Sequence, residues 1–149
     1  MKEIHSNINI IGGGLIGAVC AYSLSKLDFK ISILEKNPKY DLAKYNDFRT
    51  TAISEGTKNF FEKIGIWKEI KTYVEPIKKI HVIDRKLTNK LEFDNERRFS
   101  NLGYIIKNKY LLNVIYRKLR LRKNVNLFNN TIISDISFND DKIITYLNK

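Results

Sequence analysis

Six residues near the N-terminus, Gly12-Gly13-Gly14-Leu15-Ile16-Gly17, have the spacing G-x-G-x-x-G, and a carboxylate, Glu35, follows about 20 residues later. Residues of these types make and break no bonds; they hold a dinucleotide. Gly12 permits a tight turn, Gly14 lets the backbone approach a pyrophosphate, and Gly17 lets a helix pack closely on a strand. Amides around Leu15 and Ile16, at the positive end of a helix dipole, can meet phosphate oxygens. Glu35 can accept hydrogen bonds from the adenosine ribose hydroxyls, and its charge disfavours a 2′-phosphate, which argues against NADP here. FAD and NAD fit the fingerprint equally, because both present an ADP half to the same unit. The plainer alternative is a glycine-rich turn without a ligand.

The elements around these residues decide against that alternative. The apolar run from Asn7 to Ile11 reads as a buried strand that stops at glycine. From Gly14 to Leu27, the spacing of Ile16, Val19, Cys20, Leu24 and Leu27 predicts an amphipathic helix lying on a sheet. Asp28 and Phe29 turn the chain, and Lys30 to Glu35 reads as a second strand. Residues 1–36 thus form one βαβ unit, the size expected for a crossover between parallel strands. The predicted class is α/β, a Rossmann-like unit with a parallel sheet.

Beyond Glu35 the pattern continues. Residues 37–51 read as a polar loop, and Ser54 as the N-cap of a helix through Phe60, Phe61 and Ile64 that Gly65 ends. A short helical piece spans IWKEIKTYV before Pro76. Strands are expected at residues 77–84, 90–93 and 103–108, and the stretch 77–107 is assigned to an incomplete, substrate-side sheet. Asn108 can cap a helix to Arg122, with Leu111, Leu112, Ile115, Tyr116 and Leu119 on its apolar face. NVNLF reads as a strand, and Asn139-Asp140-Asp141 as the turn of a closing hairpin.

Composition limits the function classes. The chain has 149 residues, 43% hydrophobic and 29% charged, which is ordinary globular composition and one domain's worth of chain. No apolar run reaches the roughly 18 residues of a bilayer span, and the N-terminus reads as a strand, not a signal peptide. A lone Cys20 excludes an internal disulfide and fits a reducing, cytoplasmic setting. His5 and His81 lack ligand-spaced companions, so no metal site is expected. A formal charge of +11 admits nucleic acid or an anionic membrane as partner. Yet the cations are dispersed apart from Arg117, Lys118, Arg120, Arg122 and Lys123, no nucleic-acid motif accompanies them, and a solvated surface explains them as simply.

The ordered series IGGGLIGAVCAYSLSK, LEK, DFRTTAIS, FFEKIGIWKEI and LGYIIKN resembles the N-terminal part of the class A flavin monooxygenases. It is most similar there to the ubiquinone-biosynthesis hydroxylases, which act on polyprenyl-phenols. Asp47, Arg49, Ala52 and Ser54 match that family's loop after the second strand, with Ile53 in place of a leucine. The resemblance implies FAD as cofactor, held by Gly12, Gly13, Gly14, Leu15, Ile16, Gly17, Glu35, Lys36 and Arg49. Arg49 would reach the ribose or pyrophosphate, as a guanidinium fork is suited to do, and Asp47 would hold Arg49 or shape the loop. NAD(P)H is the implied electron donor, and dioxygen the source of one oxygen atom for a phenol ring. No nucleophile, triad or metal cluster is needed, because the cofactor carries the chemistry.

The chain departs from the family pattern at Lys107, where an acid is typical, and at Leu112, where a glutamine often faces the flavin. The family's later aspartate-glycine and glycine-aspartate-alanine stretches do not occur before Lys149. The expectation is therefore an N-terminal portion of such a hydroxylase, split or truncated, and completed by a downstream chain or a biosynthetic complex. Two alternatives stand beside it: a non-catalytic remnant or partner-dependent FAD-binding subunit, and another FAD- or NAD-dependent oxidoreductase. His81 and Asp84 lie on the expected substrate side, and neither is assigned a catalytic role. A polyprenyl substrate implies work at the cytoplasmic membrane surface, where the basic cluster after Tyr116 can assist contact.

Overall fold

The structure, a computed structural model, describes residues 3–38, 47–83, 90–94, 101–139 and 141–148. It divides into two compact units, Met1–Tyr45 with Leu112–Lys149, and Asn46–Leu111.

The first unit contains β1 (Ile8–Ile11), α1 (Leu15–Leu24) and β2 (Ile31–Leu34), with α1 in contact with both strands. β1 runs parallel to β2 with Ile8 opposite Ile31 and Ile11 opposite Leu34. A third parallel strand, which is β8 (Val125–Phe128) in chain order, lies on the other side of β2, with Ile31 opposite Val125. The order is β1-β2-β8. All four residues of β2 are buried, as expected of a central strand in a parallel sheet covered on both faces.

The apolar face predicted for α1 is not the face that packs. Ile16 is 84% exposed, Cys20 and Leu27 are also exposed, and the buried positions are Ala18, Ala21, Tyr22 and Ser25. Close approach of a helix to a sheet favours small side chains, and the same constraint operates at Gly17, where an added Cβ would run into the Gly12 carbonyl oxygen. Side-chain volume outweighs hydrophobicity at this contact.

The second unit is built on an antiparallel sheet. Its strands are β3 (Thr50–Ile53), β4 (Val74–Ile77) and, after the hairpin of β5 (Lys79–Ile83) and β6 (Lys90–Asp94), β7 (Gly103–Lys107). The order is β3-β7-β4. Between β3 and β4 come α2 (Glu55–Lys63) and α3 (Trp67–Ile70). Ser54 caps α2 by accepting the Thr57 amide at 3.2 Å, and Gly65 leaves the helix at φ +72°. Ile53, Phe61, Ile66, Ile70 and Ile106 are buried, and Trp67 meets Tyr104 edge-on at 4.9 Å.

Two readings of this region need correction. The polar loop predicted through Thr51 already includes β3, whose short Thr-Thr-Ala-Ile run owes its structure to pairing with β7 (Ala52 opposite Ile105). The strand predicted at residues 77–84 is β5, paired with β6, but the helical piece predicted to Val74 stops at Ile70, and Val74 opens a further strand, β4, paired with β7. Pro76 sits inside β4, which tolerates it as an edge strand because no ladder amide is required there. Asp84 lies outside the described residues.

The long helix α4 (Asn108–Arg120) follows β7, with Leu111, Leu112, Ile115, Tyr116 and Leu119 buried as its period predicts. At its start the Asn108 amide donates to the Arg49 carbonyl at 3.0 Å and its side-chain oxygen accepts the Thr51 hydroxyl at 2.6 Å. After β8, the antiparallel pair β9 (Ile132–Asn139) and β10 (Lys142–Asn148) forms the predicted hairpin, with Asn139 opposite Lys142. Asp140 of its turn lies outside the described residues.

Candidate functional site

In the first unit the glycine loop joins the end of β1 to the start of α1. Gly12 adopts φ +94°, a left-handed conformation that favours glycine, and its amide donates to the Leu34 carbonyl at 2.8 Å. Gly14 is the N-cap of α1 at φ −63°, no side chain among the described residues caps the helix, and its first turn carries no acid. The helix therefore meets the loop with a bare positive end. Among the described residues, an added Cβ on Gly14 would find nothing within 4 Å, so open space lies beside this backbone.

Glu35 is buried at the end of β2, and its main chain is held by two hydrogen bonds. Its amide donates to the Phe128 carbonyl at 2.8 Å, and its own carbonyl accepts the Thr131 amide at 3.0 Å. The carboxylate reaches back to the loop, where Oε2 accepts the Gly13 amide at 2.6 Å. Oε1 accepts both the amide and the side-chain amide of Asn37, at 2.9 and 2.7 Å. An ionised carboxylate has about four acceptor positions. Among the described residues three are engaged, and the fourth, on Oε2, is not.

Tyr116 completes this network from α4. Its hydroxyl donates to the Gly13 carbonyl at 2.6 Å. Both polar atoms of the Gly13 backbone are thus held by side chains, one from Glu35 and one from Tyr116. A Cβ on Gly13 would collide with the Tyr116 hydroxyl and press on Glu35, so glycine is required there for space. Sequence reasoning places Tyr116 on an apolar helix face and gives Asn37 no role. Neither has a local signal, because their partners are set by the fold.

The structure brings together Gly12, Gly13, Gly14, Leu15, Ile16, Gly17 and Glu35 around the loop, with Lys36 exposed next to Glu35. Arg49 belongs to the second unit. Its Nε and one terminal nitrogen donate to the two carboxylate oxygens of Asp47, each at 2.8 Å, and its own amide donates to Asp47 Oδ1 at 2.9 Å. The Asp47 side chain is only 6% exposed and that of Arg49 is 75% exposed. Asp47 therefore grips the guanidinium from below and presents it outward. Lys107 is exposed at the end of β7, and Leu112 is buried. His81, on the exposed strand β5, lies 3.3 Å from Glu92.

This arrangement, a parallel βαβ unit with an uncapped helix behind a glycine loop and an acid closing the second strand, defines a Rossmann-like dinucleotide-binding fold. The family described as NAD(P)-binding Rossmann-like domain matches residues 10–51. In structure, the chain resembles the flavin-dependent monooxygenase PieE, solved in complex with FAD and substrate. The TM-score is 0.79 at 11% identity, covering 99% of this chain and 27% of that one. The fold of this chain is the one found in the matched part of that monooxygenase.

In sequence, the chain is similar to proteins named as ubiquinone-biosynthesis hydroxylases. It is 28% identical over 134 residues to the mitochondrial ubiquinone biosynthesis monooxygenase COQ6 of Drosophila melanogaster, covering 84% of this chain and 28% of that protein. It is 22% identical over 147 residues to the ubiquinone hydroxylase UbiM of Neisseria meningitidis, covering 94% of this chain and 32% of the relative. The chain thus spans about a third of the length of the curated relatives it matches.

Proposed function

We propose that this chain binds the ADP half of FAD, and that it serves as the cofactor-holding part of a hydroxylase acting on a polyprenyl-phenol in ubiquinone biosynthesis. The observation that carries the proposal is the open space at Gly14 before the uncapped end of α1, with Glu35 fixed beside it. Pyrophosphate oxygens fit against the bare amides around Leu15 and Ile16. A ribose hydroxyl fits the remaining acceptor position on Glu35 Oε2. Lys36 and the outward-facing fork of Arg49 are assigned to the same cofactor, Arg49 through contacts suited to phosphate or ribose oxygens.

When bound and reduced by NAD(P)H, the flavin supplies oxygen-transfer chemistry from dioxygen. The residues of this chain bind and orient it. One substrate C–H becomes C–OH, NAD(P)H is oxidised to NAD(P)+, and the second oxygen atom leaves as water with the uptake of one proton from solvent. Ring hydroxylation is proposed for the enzyme in which this portion operates, whether through a downstream chain or an assembly. Its polyprenyl substrate is met at a membrane surface by peripheral contact. No helix among the described residues is long and apolar enough to cross a membrane.

The test is titration of the purified chain with FAD and, separately, with NAD. Retention of FAD, giving a yellow protein absorbing at about 450 nm, is the expected result. The second reading, a nicotinamide-binding oxidoreductase, is favoured by the family matched at residues 10–51. Binding of NAD without FAD would establish it. Failure to bind either cofactor would point to the remnant or partner-dependent subunit.

A further inference from the structure

We infer that the end of the first unit where β2 and β8 begin is a docking surface for a bilayer containing anionic lipid. The inference extends the reading of a polyprenyl substrate met at a membrane, but it rests on a separate set of residues. Two turns build this surface. One follows α1 and contains Lys26, Leu27, Phe29 and Lys30; the other follows α4 and contains Leu121, Arg122 and Lys123.

Asn124 joins the two turns. Its side-chain amide donates to the carbonyls of Ser25, Leu27 and Phe29 at 3.1, 3.2 and 2.9 Å, and its own carbonyl accepts the Ile31 amide at 2.8 Å. Beneath them the ring of Tyr22 faces three cations, Lys26 and Lys118 at 5.6 and 5.8 Å and the Arg122 guanidinium at 5.4 Å from its centroid. Cation–π contact and the Asn124 bonds hold the basic groups together despite their mutual repulsion. Within residues 25–31 and 117–125 the only acid is Asp28, against seven Lys and Arg.

Charge alone would suit any polyanion. The apolar side chains narrow the choice: Leu121 is 80% exposed, Leu27 54% and Phe29 40%. A nucleic-acid backbone gives exposed Leu121 and Leu27 no partner. A bilayer interface receives both kinds of group at once, apolar side chains at the acyl boundary and cations among anionic headgroups. The glycine loop follows the C-terminal end of β1 and Glu35 that of β2, so docking at the strand starts leaves the dinucleotide site uncovered.

The experiment is co-sedimentation of the purified chain with vesicles of phosphatidylcholine, with and without phosphatidylglycerol. Binding is expected only to the anionic vesicles, to weaken with added salt, and to survive millimolar inorganic phosphate. Lys123→Glu reverses one exposed charge and should weaken it by at least about tenfold. Leu121→Ser should weaken it several-fold at unchanged charge. Both positions are exposed, so unfolding midpoints should match the parent chain. FAD titration of the same variants should be unaltered, which separates failure here from failure of the cofactor assignment. Equal binding to both vesicle types, no binding to either, or anionic-vesicle binding indifferent to either substitution would overturn the inference. Preferential capture by duplex DNA, unaffected by Leu121→Ser, would overturn it in favour of a nucleic-acid surface.

Discussion

The Tyr116 hydroxyl donates a 2.6 Å hydrogen bond to the Gly13 carbonyl, tying the helix α4 to a loop 103 positions earlier in the chain. That bond and the one from the Gly13 amide to Glu35 fix the peptide planes on either side of Gly13. A buried carbonyl that loses its donor costs about 1 kcal/mol or more. Tyr116→Phe is therefore expected to lower folding stability by about 1 kcal/mol and to weaken FAD binding about fivefold. Denaturant unfolding and flavin fluorescence titration measure the two effects. If stability falls and FAD affinity does not, Tyr116 supports the core without positioning the loop.

Gly14 and Gly17 separate a ligand-binding loop from a merely tight one. Gly14 has φ −63° and open space where a methyl group would stand, so Gly14→Ala should leave the unfolding midpoint nearly unchanged. The methyl would occupy the space assigned to the pyrophosphate, and FAD affinity should drop at least about tenfold, as expected where a close backbone approach is blocked. Gly17→Ala meets the Gly12 carbonyl oxygen and should destabilise the fold itself, by about 1–3 kcal/mol as overpacking does. Equal loss of stability in both variants would make the glycines structural only.

Glu35→Gln tests the carboxylate while keeping its shape. The two Glu35 oxygens accept the Gly13 amide on one side and two Asn37 donors on the other. An amide offers one acceptor oxygen and one donor nitrogen, so one set of donors would face an N–H. The expected outcome is destabilisation of about 1–3 kcal/mol and a marked loss of FAD affinity. Calorimetry with and without FAD checks both. An unchanged affinity would remove Glu35 from the cofactor site.

The parts of this arrangement that are legible in the sequence are those set by local rules. The glycine spacing, the run of β2, the Ser54 cap, the Gly65 stop and the period of α4 each follow from neighbouring residues. The face of α1 is not legible from hydrophobic type, because the contact with the sheet selects the small side chains Ala18 and Ala21. β3 is hidden because four residues with two threonines carry no periodic signal, and only pairing with β7 makes them a strand. The roles of Tyr116, Asn37 and Asn124 depend on partners that folding brings close.

Ser32 offers a test of the sheet alone. Its hydroxyl is buried in the central strand β2 and lacks a hydrogen-bond partner among the described residues. An unsatisfied buried hydroxyl costs free energy, and removing it relieves that cost at the loss of little volume. Ser32→Ala should be neutral or stabilising by up to about 1 kcal/mol, read from denaturant midpoints. Destabilisation beyond that would show that a solvent molecule or another group satisfies the hydroxyl.

Asp47 and Arg49 form a two-point ion pair with one partner nearly buried and the other largely exposed. Pairs open to solvent contribute about 1 kcal/mol at most, so stability alone gives little reason for the fork. Its geometric effect is larger, since Asp47 fixes the plane in which the guanidinium is presented. Arg49→Ala should lower the unfolding midpoint by no more than about 2–4 °C, as about 1 kcal/mol or less implies for a chain of this size, and should weaken FAD binding by about tenfold or more, as loss of a charge-assisted phosphate contact implies. Arg49→Lys retains charge without the fork and should recover only part of that affinity. Asp47→Asn, which leaves Arg49 in place but loosens its grip, should fall between the parent chain and Arg49→Ala. If all three variants bind FAD as the parent does, Arg49 is a surface residue and the flavin assignment loses the loop that distinguishes it from a nicotinamide site.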